Sequence, residues 1–138
     1  RLWRDGSSRT ANVSRERLNT YLPLRSYVEK HIPFVLVTDN IPINPLHALW
    51  AVVARQDMGT GEVISPEQKV SREEALRALT INGAYLSFDE QNKGSIELGK
   101  LADLVVLSDD LCSIPEDQIK EIEIMMTMVG GKIVYIRK

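Results

Sequence analysis

The chain is poor in the residues that build redox and metal chemistry. It has one cysteine, Cys112, and two histidines, His31 and His47, in 138 residues. One thiol excludes an intrachain disulfide and tolerates a reducing compartment. Cys112 has no histidine beside it to activate it, which leaves a structural or surface role. The histidines form neither an HxH nor an HExxH pattern, and no set of His, Cys and carboxylates has metal-site spacing. Walker, GxGxxG and GxSxG sequences are absent as well. No apolar run approaches the roughly 20 residues that span a bilayer. Neither charge dominates: 17 Lys and Arg against 19 Asp and Glu leave a formal charge of -2. Nucleic acid and membrane are therefore not expected partners, since both need a clustered basic excess.

What is present is ordinary globular material, 43% hydrophobic and 26% charged. The length suits one domain with a real core. The sequence starts at Arg1, and residues 1–17 are polar and basic around Gly6-Ser7-Ser8. They lack the apolar stretch of a signal peptide. Such a start suits a loop entered in mid-protein or a processed product. Nothing suggests export, so a cytoplasmic location is the expectation.

Leu18, Leu22, Leu24 and Val28 predict a helix within residues 15–30, with Pro23 placing its start near Leu22. Pro33 stops it. Phe34, Val35, Leu36, Val37 and Thr38 then read as a fully buried strand, because they show no polar alternation. A second helix is predicted over residues 45–55, with Pro45 at its start and Leu46, Leu49, Trp50, Val53 and Ala54 on its apolar face. A third opens at Ser71, which has capping-box spacing to Glu74. Asn82-Gly83 should interrupt or end it. Ser95 to Leu98 alternates, and residues 101–107, 122–129 and 132–137 read as strands, the last two joined by a Gly130-Gly131 hairpin turn. The first half holds one convincing strand. A single strand cannot form a sheet, so its backbone groups need partners from elsewhere.

Asp39 is the main chemical candidate. It ends the apolar strand and precedes a loop into a helix, where α/β folds place working residues. A carboxylate there can ligate a metal and take a proton from its bound water. Position alone favours the plainer role of starting a turn. His31 and His47 suit surface or packing roles. Asp103 lies in an apolar strand, where it should accept N–H groups from the Gly99-Lys100 turn. Trp50 reads as core. Arg55 is either a surface charge or the partner of a carboxylate outside this chain. Met125, Met126 and Met128 read as packing.

The segment from Phe34 to Asp39, followed by residues 45–55, resembles the last barrel strand and following helix of the amidohydrolase superfamily. It is most similar to that superfamily's branch of metal-dependent hydrolases with a TIM-barrel fold. Residues 71–76 and 80–84 resemble the next helix. Residues 94–107 resemble the return to the small β-domain and are the most specific part. Residues 127–135 resemble its closing hairpin. The resemblance runs in order over about residues 20–138 and identifies the fold as α/β. Residues 15–90 would be the last part of a TIM (β/α)8 barrel. Residues 91–138 would be C-terminal strands of the flanking small β-domain, a composite β-sandwich.

The resemblance implies hydrolysis of amide or other C–N bonds of a small-molecule substrate, using zinc or another divalent metal. Asp39 matches the family's final-strand carboxylate, which binds metal and acts as general base. The family's other ligands, an HxH pair and residues on middle strands, are not in this chain. A whole barrel takes roughly 250 residues. The isolated chain is therefore expected to be inactive and to bind no metal tightly. The family pattern also has Gly-Ser before the Asp and Pro two residues after it. Here Val37-Thr38 precede Asp39 and Pro42 lies three after. Two alternatives stand beside this reading. One is a non-catalytic regulatory domain that self-associates through exposed sheet edges. The other is a full-length enzyme whose remaining segment was cleaved or left out.

Overall fold

A computed structural model describes residues 6–8, 10–18, 20–38 and 43–138. In chain order it has α1 (Arg15–Leu18), α2 (Leu24–Glu29), α3 (Pro45–Ala54), a 3-10 turn (Pro66–Gln68), α4 (Arg72–Leu79) and α5 (Ile81–Leu86). Then come β1 (Leu104–Leu107), a 3-10 segment (Glu116–Glu121), β2 (Ile124–Val129) and β3 (Lys132–Ile136).

Helix α3 is the centre of the core. Asn44 caps it by accepting the Leu46 N–H at 2.9 Å, and Pro45 takes the first turn, where no N–H is needed. Seven of its residues are buried: the expected face and also Ala51 and Val52. A helix apolar on every side must be covered on every side. It packs against α4 and the 3-10 segment Glu116–Glu121, with Leu111, Ile119 and Ile122 in the same cluster. Trp50 is core, as expected, and Lys120 Nζ lies 4.8 Å from its ring centre.

The three strands form one antiparallel sheet in the order β1-β2-β3. Gly130 and Gly131, at φ 55° and 77°, give the tight turn that joins β2 to β3. Every residue of β3 is exposed. The register shift between Thr127 and Met128 leaves Val134 as an extra residue in β3, so Ile133 and Ile136, opposite Met128 and Met126, are open on one face and Tyr135, opposite Thr127, on the other.

Several expectations need correction. The first expected helix starts at Leu24, two residues after Leu22, with Pro23 as N-cap rather than in the first turn, and Leu22 at φ 50° separates it from the short α1. Asn82-Gly83 lies inside α5 rather than ending a helix; the break comes at Thr80, at φ -120° and ψ -93°. Ser95 to Leu98 forms no strand and turns instead through a Lys100 N–H to Glu97 carbonyl bond. Strand β1 begins at Leu104, three residues later than expected, and β2 begins at Ile124 because Ile122 is buried beside the 3-10 segment. Residues 34–38 make no strand pairing among the described residues, in keeping with a lone strand whose partners were expected from elsewhere.

Candidate functional site

The segment leading to Asp39 sits against α4 and α5. The Leu36 N–H donates to the Ala78 carbonyl at 3.1 Å, and Asn82 Nδ2 donates to the Phe34 carbonyl at 2.9 Å. This use of the Asn82 amide keeps it from competing with the α5 backbone. Phe34 and Leu36 pack on the core, whereas Val37 is 72% exposed. The segment is thus covered on one side, not on both as expected. The backbone N–H and carbonyl groups of Val35 and Val37 make no hydrogen bonds among the described residues. Asp39 itself lies outside the described residues, as do Asn40 and Pro42.

The other candidates separate. His31 is exposed and stands at φ 54° before Pro33. His47 is half-buried in the first turn of α3. Burial lowers its pKa; Glu121 opposes that and Lys120 adds to it. Cys112 is an exposed free thiol. Met125 is exposed, while Met126 and Met128 are half-buried.

Asp103 does bind a turn N–H, though at the other turn. It is exposed, and Oδ1 accepts the Gly130 N–H at 2.7 Å, inside the β2–β3 hairpin. Arg55 is not a surface charge. It is fully buried at the end of α3 and donates to three carbonyls, Ile64 at 2.7 Å, Leu22 at 3.0 Å and Tyr21 at 2.8 Å. Burial is also the main cause of its lowered pKa, with Glu67 and Tyr21 opposing.

Sequence reasoning missed Asp57. This buried carboxylate accepts N–H groups from Ser7 at 3.0 Å, Gly59 at 2.8 Å and Thr60 at 2.9 Å. The Ser7 bond contributes most to its lowered pKa; burial opposes it, and the Thr60 and Gly59 bonds reinforce it. With three N–H donors on its oxygens, Asp57 ties residue 7 to the 57–60 turn. The sequence signal was Asp57 two residues before Gly59, a spacing that suits an Asx turn.

Among the described residues no group of three or more His, Cys, Asp or Glu side chains could hold a metal ion. A zinc site needs three or four converging ligands, so the described residues do not fit one by themselves. None of the described helices is long and apolar enough to cross a membrane.

Comparison with known proteins decides the family. The amidohydrolase family profile matches residues 5–135. The chain belongs to the amidohydrolase family. It is 34% identical over 117 residues to an N-substituted formamide deformylase of Arthrobacter pascens, covering 83% of this chain and 21% of that protein. It is 35% identical over 95 residues to the Arabidopsis thaliana protein LONG AFTER FAR-RED 3, covering 67% of this chain and 16% of the relative. The chain thus spans about a fifth of the length of these curated relatives. The crystal structure of an amidohydrolase from Thermotoga maritima shares the fold, with a TM-score of 0.61 at 21% identity over 83% of this chain and 26% of that one. Amidohydrolases are hydrolases and are in general metal-dependent.

Proposed function

We propose that this chain is the C-terminal portion of a metal-dependent hydrolase of small-molecule amide-type C–N bonds. Residues 15–90 are the end of its barrel, and residues 91–138 are strands of its small β-domain. Asp39 is the carboxylate that holds zinc or another divalent ion and serves as general base. The remaining ligands come from outside this chain. One observation carries the reading. Residues 34–38 enter Asp39 with one apolar side open and the backbone groups of Val35 and Val37 unbonded among the described residues. That is what a barrel stave presents before its neighbours are added. The N-substituted formamide deformylase, a C–N hydrolase by its name, supports the reaction class.

The test has two parts. The coding sequence upstream of Arg1 should specify an HxH motif. The 138-residue chain alone should show no zinc-dependent amidase turnover and no tight zinc binding. Turnover by the isolated chain would refute this assignment of ligands.

A second reading, a non-catalytic domain that self-associates, is favoured by the open faces of β3 and by edges of β1 and β3 that are unpaired among the described residues. Size-exclusion chromatography with light scattering separates the two. A clean monomer argues against edge pairing.

A further inference from the structure

Helix α5 ends in a backbone turn that usually carries glycine. Ser87 is its C-cap. The Phe88 N–H donates to the Tyr85 carbonyl at 3.0 Å, and the Asp89 N–H donates to the Ala84 carbonyl at 2.9 Å. This pair of bonds is the Schellman ending, which puts the residue after the C-cap in the left-handed region. Phe88 holds that position, at φ 57°. A bulky side chain there is a genuine outlier and carries strain.

No contact within the chain offsets that strain. Phe88 is 93% exposed, so its ring is left in water. An apolar contact between the next residue and the last helical turn often supports this ending. Here the next residue is Asp89, whose carboxylate pairs with Lys93 Nζ at 2.8 Å instead. Leu86, Ile96 and Leu98, in the same stretch, are exposed as well. A strained residue persists where its surroundings over-determine it, and the described residues leave this one uncovered.

We infer that Phe88 is the anchor by which this chain docks onto the upstream portion of the same polypeptide, with its ring in an apolar pocket of that portion. The inference rests on the reading of this chain as the C-terminal portion of a longer hydrolase. The chain covers 21% and 16% of two curated relatives, so a whole protein of that length has ample chain to form the pocket. Residues 86–98 lie where the barrel end passes into the β-domain, a junction that both parts can cover. A few buried aromatic side chains dominate the energetics of such contacts.

The test makes one substitution in two settings. In the 138-residue chain, Phe88→Gly should raise the urea midpoint, because it removes left-handed strain and loses no contact. In the whole polypeptide, Phe88→Gly should lower the midpoint, because the ring leaves its pocket empty. Phe88→Ala keeps the strain and removes the ring, so it should lower the midpoint of the whole polypeptide alone. A benzophenone photo-crosslinker at position 88 of the whole polypeptide should join an upstream segment of the same molecule. A raised midpoint in both settings, a crosslink to a second copy, or no crosslink would overturn the docking. An upstream HxH motif with metal-dependent turnover would still uphold the hydrolase reading in those cases. The absence of coding sequence upstream of Arg1 would sink both.

Discussion

Arg25 donates to both carboxylate oxygens of Glu74, from Nη1 to Oε1 at 3.0 Å and from Nη2 to Oε2 at 2.9 Å. The same Oε2 accepts the Ser71 N–H at 2.6 Å, while Ser71 Oγ accepts the Glu74 N–H at 3.1 Å. One carboxylate thus closes the capping box of α4 and holds α2 against it. Arg25 Nε adds a bond to the Lys69 carbonyl at 3.0 Å.

This arrangement sets a pH dependence. Burial pushes the Glu74 pKa up, but the Ser71 N–H and the Arg25 guanidinium outweigh it and hold the value below 4.5. A carboxyl lowered in the folded state contributes stability above its unfolded pKa. That contribution is lost as pH falls through the folded value. Glu74→Gln should therefore lower stability at pH 7 by about 1–2 kcal/mol, toward the low end because solvent screens the pair. The difference from the parent should shrink as the solution is acidified below 4.5. Urea unfolding at several pH values reads it. A constant difference across that range would contradict this role for Glu74.

Gly94 is a close-approach glycine. It stands at φ +94°, and a Cβ there would lie 2.7 Å from Ala84 Cβ and 2.9 Å from Ile81 Cα. Both obstacles are on α5, and one is backbone. Gly94→Ala should cost about 3 kcal/mol, combining overpacking with left-handed strain. Gly99 has a similar φ of +91° with nothing within 4 Å. Gly99→Ala should cost only about 1–2 kcal/mol. Comparing their denaturant midpoints isolates the steric part, and equal losses would mean that α5 yields freely.

The features legible in the sequence are those written in neighbouring residues. The Ser71–Glu74 box spans four positions, the Gly130-Gly131 hairpin two, and the Pro45 helix start is local. The features that were not legible depend on partners far along the chain. Arg55 was left open between a surface charge and the partner of a carboxylate outside this chain, because two of its three acceptors lie 33 and 34 positions away. Asn82-Gly83 carries a turn signature, yet Asn82 bonds Phe34, 48 positions away, and the helix continues. The strand read in residues 34–38 came from composition. Composition reports a preference for pairing, and pairing needs a second strand. The family resemblance was legible because it rests on ordered segments rather than on any single contact.

Arg55 ends α3 in the left-handed region, at φ 51°, and its guanidinium reaches two separate segments. Removing it leaves carbonyls of Tyr21, Leu22 and Ile64 without their donor. Arg55→Met should cost about 3 kcal/mol or more. Arg55→Lys should recover little, because one ammonium cannot reproduce the planar fork that meets three acceptors. Thermal unfolding of both variants checks this. Full recovery by lysine would show that charge alone, without geometry, holds the two segments.

The two open faces of β3 predict self-association. Ile133 and Ile136 lie on one face and are 53% and 60% exposed. Ile133→Lys with Ile136→Lys would place two ammonium groups on that face, and a partner could cover them only at a desolvation penalty. Light scattering should show a larger monomer fraction for the double variant. Both positions are exposed in one copy, so the fold should survive, which circular dichroism verifies. An unchanged mass distribution would exclude this face as the contact.

Asp39 is the residue on which the enzyme reading turns. In the whole enzyme, Asp39→Asn keeps the size and removes both the negative charge and the basicity of the side chain. A general base contributes roughly 100-fold to 10,000-fold in rate. Turnover should fall by at least about 100-fold, with less metal bound after dialysis. Asp39→Ala should fall as far or further. If Asp39 only starts a turn before α3, asparagine should do nearly as well, since both residues form the same turn. The asparagine variant thus separates chemistry from local structure: near-normal turnover would assign Asp39 to the turn, and a deep loss with an unchanged melting temperature would assign it to the reaction.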